Sequence, residues 1–107
     1  MDKTTQTLPS NELFITSVRL TIMILLFNHK KINFTELQKL LKLTPGNLDH
    51  HLKRLEGANY VKTYKKLSSL RRPLTLVEIT PYGKKSFKEY ITNLRDVLNN
   101  IVLSSEK

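Results

Sequence analysis

The stretch Thr44-Pro-Gly-Asn-Leu-Asp-His-His-Leu-Lys-Arg-Leu-Glu-Gly-Ala-Asn59 concentrates the side chains best suited to recognising another molecule. Its spacing predicts a short helix with both ends marked. The Thr44 hydroxyl suits the capping of free amides, and Pro45 suits the first helical position, where no N–H is needed. Leu48, Leu52 and Leu55 recur at intervals of four and three, so they form one apolar stripe. At about 100° per residue, Gly46, His50, Lys53 and Arg54 fall on the opposite side, with Asn47 at its edge. Asn59 is a suitable left-handed stop. A helix anchored by three leucines that turns donors and positive charge outward has the chemistry needed to enter a DNA groove. The same face also fits a plain solvated surface, because lysine and arginine commonly serve solubility. The surrounding elements decide between the two readings.

Upstream, Phe34-Thr-Glu-Leu-Gln38 offers a capping box, with Thr35 as N-cap and Gln38 three residues on. Leu37, Leu40 and Leu41 give this second helix a buried side, and Leu43 lies in the turn before Thr44. Two short helices joined by about three residues, the second with a polar outer face, make a helix-turn-helix. Before them, Asn11 to Asn28 reads as a helix apolar on most of its circumference, and His29 to Asn33 as a polar connection. Such a helix must be covered on several sides, which makes it the core helix and a candidate contributor to a dimer interface. Residues 1–10 are polar and read as a loose arm, leaving 11–107 as a single domain.

After Asn59 the periodicity changes from helical to alternating. Residues 60–66 and 74–79 are rich in β-branched and aromatic side chains and read as two strands of a hairpin, joined by a loop over 67–73. Lys62, Lys65, Lys66, Arg71 and Arg72 fall between residues 62 and 72 with no acid among them. The hairpin over 60–80 therefore suits a wing that lies along phosphates or enters the minor groove. Lysines on an edge hairpin also guard against aggregation, so the wing reading leans on the adjacent helix-turn-helix. Thr80-Pro81 repeats the cap-then-proline signature and opens a helix to about residue 104, roughly 36 Å long. Phe87, Ile91, Leu94, Leu98 and Ile101 step along it by four, three, four and three, and are the candidate seam of a twofold dimer. Two recognition helices would then reach successive major grooves, about 34 Å apart.

The chain carries 18 Lys and Arg against 9 Asp and Glu, a net charge of +9, which points to a polyanionic partner. It has no cysteine, so disulfides and thiolate metal sites are excluded, consistent with a reducing, cytoplasmic (nucleoid-associated) setting. The longest apolar run, Ile22 to Phe27, is far short of a membrane span. His50 and His51 are adjacent, so on a helix they point about 100° apart and cannot hold one metal ion together. No glycine-rich phosphate loop, nucleophile elbow or paired carboxylates occur, so neither an enzyme nor a cofactor is expected. No residue set announces a small-molecule effector.

The order Phe34-Thr-Glu-Leu, Leu43-Thr-Pro-Gly-Asn-Leu48, His51-Leu52, Leu55-Glu56, Tyr60-Val61, Arg72-Pro73, Thr80-Pro81-Tyr82-Gly83 resembles the prokaryotic winged-helix DNA-binding domain family, akin to the MarR-like and ArsR-like regulators. The match spans about residues 17–90. It implies an α+β, mostly α, winged helix-turn-helix with a two-stranded wing and a long C-terminal dimerisation helix. It also implies double-stranded DNA as partner, a homodimer, and regulation of transcription. By position, Gly46, Asn47, His50, Lys53 and Arg54 would face DNA, with Arg71 and Arg72 in the wing; Thr44, Lys65 and Lys66 complete the candidate set. His51 matches the family histidine but borders the leucine stripe, and reads as a packing residue. Asp49 stands where relatives often have a small hydroxyl residue, and Asn59 where they usually have glycine. The competing functional classes are a weakly specific architectural DNA-coating protein and a winged-helix protein-interaction module.

Overall fold

The computed structural model describes residues 11–105, so the expected N-terminal arm (1–10) lies outside the described residues. The elements are α1 (Glu12–Ile15), α2 (Ser17–His29), β1 (Lys31–Asn33), α3 (Phe34–Leu41), α4 (Pro45–Gly57), β2 (Val61–Leu67), β3 (Pro73–Ile79) and α5 (Pro81–Ser105). This is a winged helix: α3 and α4 form the helix-turn-helix, β2 and β3 the wing, and α5 the long final helix.

Four expectations need correction, the first being Leu40, expected on the buried side of the second helix but exposed, so that Leu37 alone is fully buried there. The helix expected over 11–28 is two helices, broken where Thr16 turns extended (ψ 138°) and caps α2 by accepting from the Arg19 amide. A threonine hydroxyl competes well for amides at a helix start, and an apolar pattern does not register that break. The polar connection 29–33 contains β1, which pairs antiparallel with β3, so the sheet has three strands in the order β1-β3-β2. A three-residue strand is too short to show alternation; it forms because β3 offers it a free edge. Finally, Asn33 rather than Thr35 caps α3, its side chain accepting from the Thr35 amide at 2.8 Å.

Both helices of the motif end with the same device. Asn59 takes a left-handed φ of 64°, while the Asn59 amide donates to Glu56 and the Tyr60 amide to Leu55. Lys42 (φ 55°) plays the same part after α3, with Leu43 donating to Gln38. These bonds satisfy the last carbonyls of each helix and turn the chain sharply. The core joins Phe14 of α1, Ile22, Met23 and Leu26 of α2, Leu37 of α3, the α4 leucines, Val77 and Ile79 of β3, and Phe87 of α5.

The wing meets α5 at Tyr60. Its carbonyl accepts from the Thr80 amide at 3.0 Å, the Thr80 hydroxyl donates chiefly to the adjoining Asn59 carbonyl (2.7 Å, against 3.2 Å to Tyr60), and the hydroxyl oxygen in turn accepts from the Gly83 amide at 2.8 Å. Gly83 is buried here, and a Cβ added to it would collide with the Tyr60 carbonyl. Gly57, by contrast, ends α4 facing open space. Replacing Gly83 with Ala should therefore lower unfolding free energy by about 1–3 kcal/mol or more, through forced backbone displacement. Gly57→Ala should be neutral or stabilising, by up to about 1 kcal/mol. Urea denaturation of the two variants measures both, and a silent Gly83→Ala would contradict the packing described at Tyr60.

Candidate nucleic-acid interface

Burial sets the orientation of α4. Leu48, Leu52 and Leu55 are essentially fully buried, each worth about 1.5–3 kcal/mol relative to exposure. The one ion pair along the helix, Lys53 Nζ to Asp49 Oδ2 at 3.3 Å, is well exposed and worth at most a few tenths of that, on the order of 0.3–0.5 kcal/mol. The leucines thus decide which face turns outward. That face presents Gly46, Asn47, His50, Lys53 and Arg54, all exposed. Thr44 caps the helix by accepting from the Asn47 amide at 3.1 Å. Asp49, the acid in an otherwise donor-rich surface, is neutralised by Lys53.

The wing is held by cross-strand side chains as well as by its ladder. Tyr64 donates to Glu78 across the strands at 2.8 Å, and Lys62 Nζ lies 3.8 Å from the same carboxylate. The Tyr64 hydrogen bond, followed by the nearby lysines, holds the Glu78 carboxyl below its ordinary value. Lys62 is therefore occupied within the sheet. Lys65 and Lys66, on the outer half of β2, are exposed. So are Arg71 and Arg72 in the turn, where Arg71 N–H donates to the Ser68 carbonyl and Arg72 N–H to the Ser68 hydroxyl. Arg71 is left-handed (φ 59°), which tightens the turn. Among the described residues, Arg54, Lys65, Lys66, Arg71 and Arg72 have no carboxylate partner.

The candidate seam residues divide. Phe87 is buried in the core of the chain, edge-on to Phe14, and Leu94 is half-buried. Ile91, Leu98 and Ile101 are exposed, as are Val102 and Leu103. Ile24 of α2, exposed despite its helix's apolar character, joins Phe27 and Ile91 in a groove of about 470 Å³ between α2 and α5.

Sequence reasoning missed Arg19. It is buried, donating through Nε to the Leu13 carbonyl at 2.9 Å and through Nη1 to His51 Nδ1 at 3.0 Å. The available signal was a lone cation inside the apolar run of α2. His51 is half-buried, as its place beside the leucine stripe suggests. Burial first, then the charges of Arg19, His50 and Arg54, depress its pKa below the ordinary 6.5.

The winged helix DNA-binding domain model matches residues 18–98, and the chain belongs to that family. It is 38% identical over 90 residues to uncharacterized protein MJ0432 of Methanocaldococcus jannaschii, covering 84% of this chain and 97% of that one. The transcriptional regulator homologue from Pyrococcus horikoshii OT3 superposes with a TM-score of 0.80 at 41% identity, over 86% of this chain and 90% of that one. Reduced AbfR bound to DNA shares the fold at a TM-score of 0.67 and 22% identity, over 86% of this chain and 67% of that one. The structural neighbours are MarR-like transcriptional regulators of prokaryotes, and the chain is a DNA-binding winged helix rather than an enzyme. Among the described residues no helix is long and apolar enough to cross a membrane.

Because the folded state disfavours the charged His51, it binds fewer protons than the unfolded chain at mildly acidic pH. This contribution to stability is complete above about 6.5 and is lost as the pH falls toward the depressed folded value. The melting temperature should therefore drop on acidification from about pH 7.5 to about pH 5. In His51→Asn, which does not titrate, the drop should be smaller. Identical pH profiles for the two proteins would count against this linkage.

Proposed function

We propose that the chain is a dimeric transcriptional regulator that places α4 in the major groove and lays its wing on the backbone or minor groove of duplex DNA. The observation that carries this reading is that the outer face of α4 and the wing both present exposed cations without carboxylate partners. Arg54 lies on the outer face of α4, and Lys65, Lys66, Arg71 and Arg72 lie on the wing. Gly46 adds to this: nothing lies within 4 Å of where its Cβ would be, so the fold does not require a glycine there. A glycine early in a recognition helix allows close approach of another backbone, here that of DNA. AbfR, which shares this fold, has been solved bound to DNA, which supports DNA as the partner.

Dimerisation is supported by the apolar surface of α5. Ile91, Leu98, Ile101, Val102 and Leu103 are exposed along a helix of 25 residues that outlasts the core it packs on. The groove lined by Ile24 and Phe27 continues that surface onto α2. A twofold axis through these faces would present two copies of α4 to successive major grooves.

Fluorescence anisotropy with labelled duplexes across a salt series tests the DNA reading. Affinity should fall steeply with salt, by about 0.9 in log–log slope for each phosphate neutralised. One sequence selected from a random library should outcompete unrelated duplexes. Lys53→Ala with Arg54→Ala should cost about 1–3 kcal/mol for each base that the variant no longer reads. Equal competition by all duplexes would instead make the protein an architectural coat, and no binding at low salt would make it a protein-interaction module.

Leu98→Glu with Ile101→Glu should convert the dimer to a monomer in sedimentation equilibrium. The same change should weaken operator binding, since a monomer holds only one half-site. A wild-type protein that sediments as a monomer at micromolar concentration would remove the dimer from the proposal.

A further inference from the structure

The sequence suggests a packing role for His51, and its hydrogen bond to Arg19 indicates a second one. A guanidinium can only donate hydrogen bonds. With Arg19 Nη1 at 3.0 Å, His51 Nδ1 must supply the lone pair, so the neutral ring carries its proton on Nε2. No partner for Nε2 occurs among the described residues. Nor is Nε2 enclosed, because no buried side-chain nitrogen or oxygen lacks a hydrogen-bond partner there. One edge of the ring is thus bonded inward and the other reaches solvent as an N–H donor.

The position of that donor on α4 gives it a target. Asn47, His51 and Arg54 are spaced by four and three, so they form one ridge along the helix. Asn47 and Arg54 are exposed and belong to the candidate DNA-facing set. His51 fills the gap between them. Arg19 itself is costly: a buried guanidinium without a carboxylate, close enough to Arg54 that the two repel. An apolar side chain would fill the same volume at lower cost. Setting the proton of His51 and tying α1 to α4 through Leu13 gives that expense a use.

We propose that His51 donates from Nε2–H to an acceptor on duplex DNA, with Arg19 as the positioning residue that fixes its tautomer and ring orientation. This rests on the reading of α4 as the recognition helix. The acceptor is a phosphate oxygen or an acceptor atom on a base edge. The groups facing the ring are all cationic or potentially so: Arg19 from α2, and His50 and Arg54 from α4. Burial first, then these charges, disfavours the charged ring, so the contact is a neutral hydrogen bond rather than a counter-charge.

The test uses the full chain and a fluorescein-labelled duplex selected from a random library with the wild-type protein. Long-range ¹H–¹⁵N spectra of the free protein should show Nε2 protonated and Nδ1 bare. In Arg19→Met, which removes the donor, the two nitrogens should move toward averaged shifts. His51→Asn keeps an acceptor near the Nδ1 position but has no donor at the Nε2 position. It should fold as wild type does by thermal melting and bind about five- to tenfold more weakly, the worth of one hydrogen bond. His51→Gln, with an amide N–H near the Nε2 position, should recover most of that loss. Weakening across all duplexes would assign the acceptor to phosphate, and weakening confined to the selected sequence would assign it to a base edge.

A proton found on Nδ1 in the wild type, or a tautomer unchanged in Arg19→Met, would overturn the proposal. So would wild-type affinity in His51→Asn while Lys53→Ala with Arg54→Ala still weakens binding. In that last case the recognition-helix reading would stand and only the role of His51 would fall. Failure of the wild type to bind any duplex would overturn both.

Discussion

The joint at Tyr60 is the constraint on which the rest of the molecule depends. Its amide closes the end of α4, and its carbonyl receives the amide of Thr80 at the start of α5, whose hydroxyl bonds the adjoining Asn59 carbonyl at 2.7 Å. Its ring packs on Phe14 (centroids 5.0 Å apart) and stacks on Tyr82 (5.6 Å), while its hydroxyl accepts from Asn11. One residue therefore ties together α4, the wing, α5 and α1. The left-handed turn at Asn59 delivers the chain to this point, and the absence of a side chain at Gly83 lets α5 approach it. These short bonds fix the place of the wing against α4 and α5.

Energy and charge are separated in this fold. Burial of leucines, phenylalanines and isoleucines holds the elements together, while the Asp49–Lys53 and Arg95–Asp96 pairs are exposed and contribute little. The excess cations are then free for an external partner. Arg19 departs from this division, since its charge lies inside, behind α4, with a carbonyl and an imidazole in place of a carboxylate. Local rules that fail at one position often mark a site where function adds a demand of its own.

What was legible in the sequence was whatever depends on near neighbours along the chain. The leucine intervals of α4, the caps at Thr44 and Thr80, the left-handed stop at Asn59 and the alternation of the wing each follow from interactions within a few residues. The family resemblance rests on that same local order, and the match over residues 18–98 agrees with it. The candidate DNA-facing residues on α4 and the wing were legible for the same reason: a period of 3.6 or of 2 sorts side chains into faces without reference to the rest of the fold.

Only the tertiary structure decided the features that need a distant partner. β1 exists because β3, more than forty residues later, leaves an edge for it. Phe87 carries the same heptad spacing as Ile91 and Ile101, yet it is buried because Phe14 and Phe27 meet it, while the others are left exposed. Arg19 and His51 stand 32 positions apart, and no local pattern links the two. A hydrogen bond across that distance depends on how α2 crosses α4, and crossing geometry is set by the packed core rather than by any local pattern.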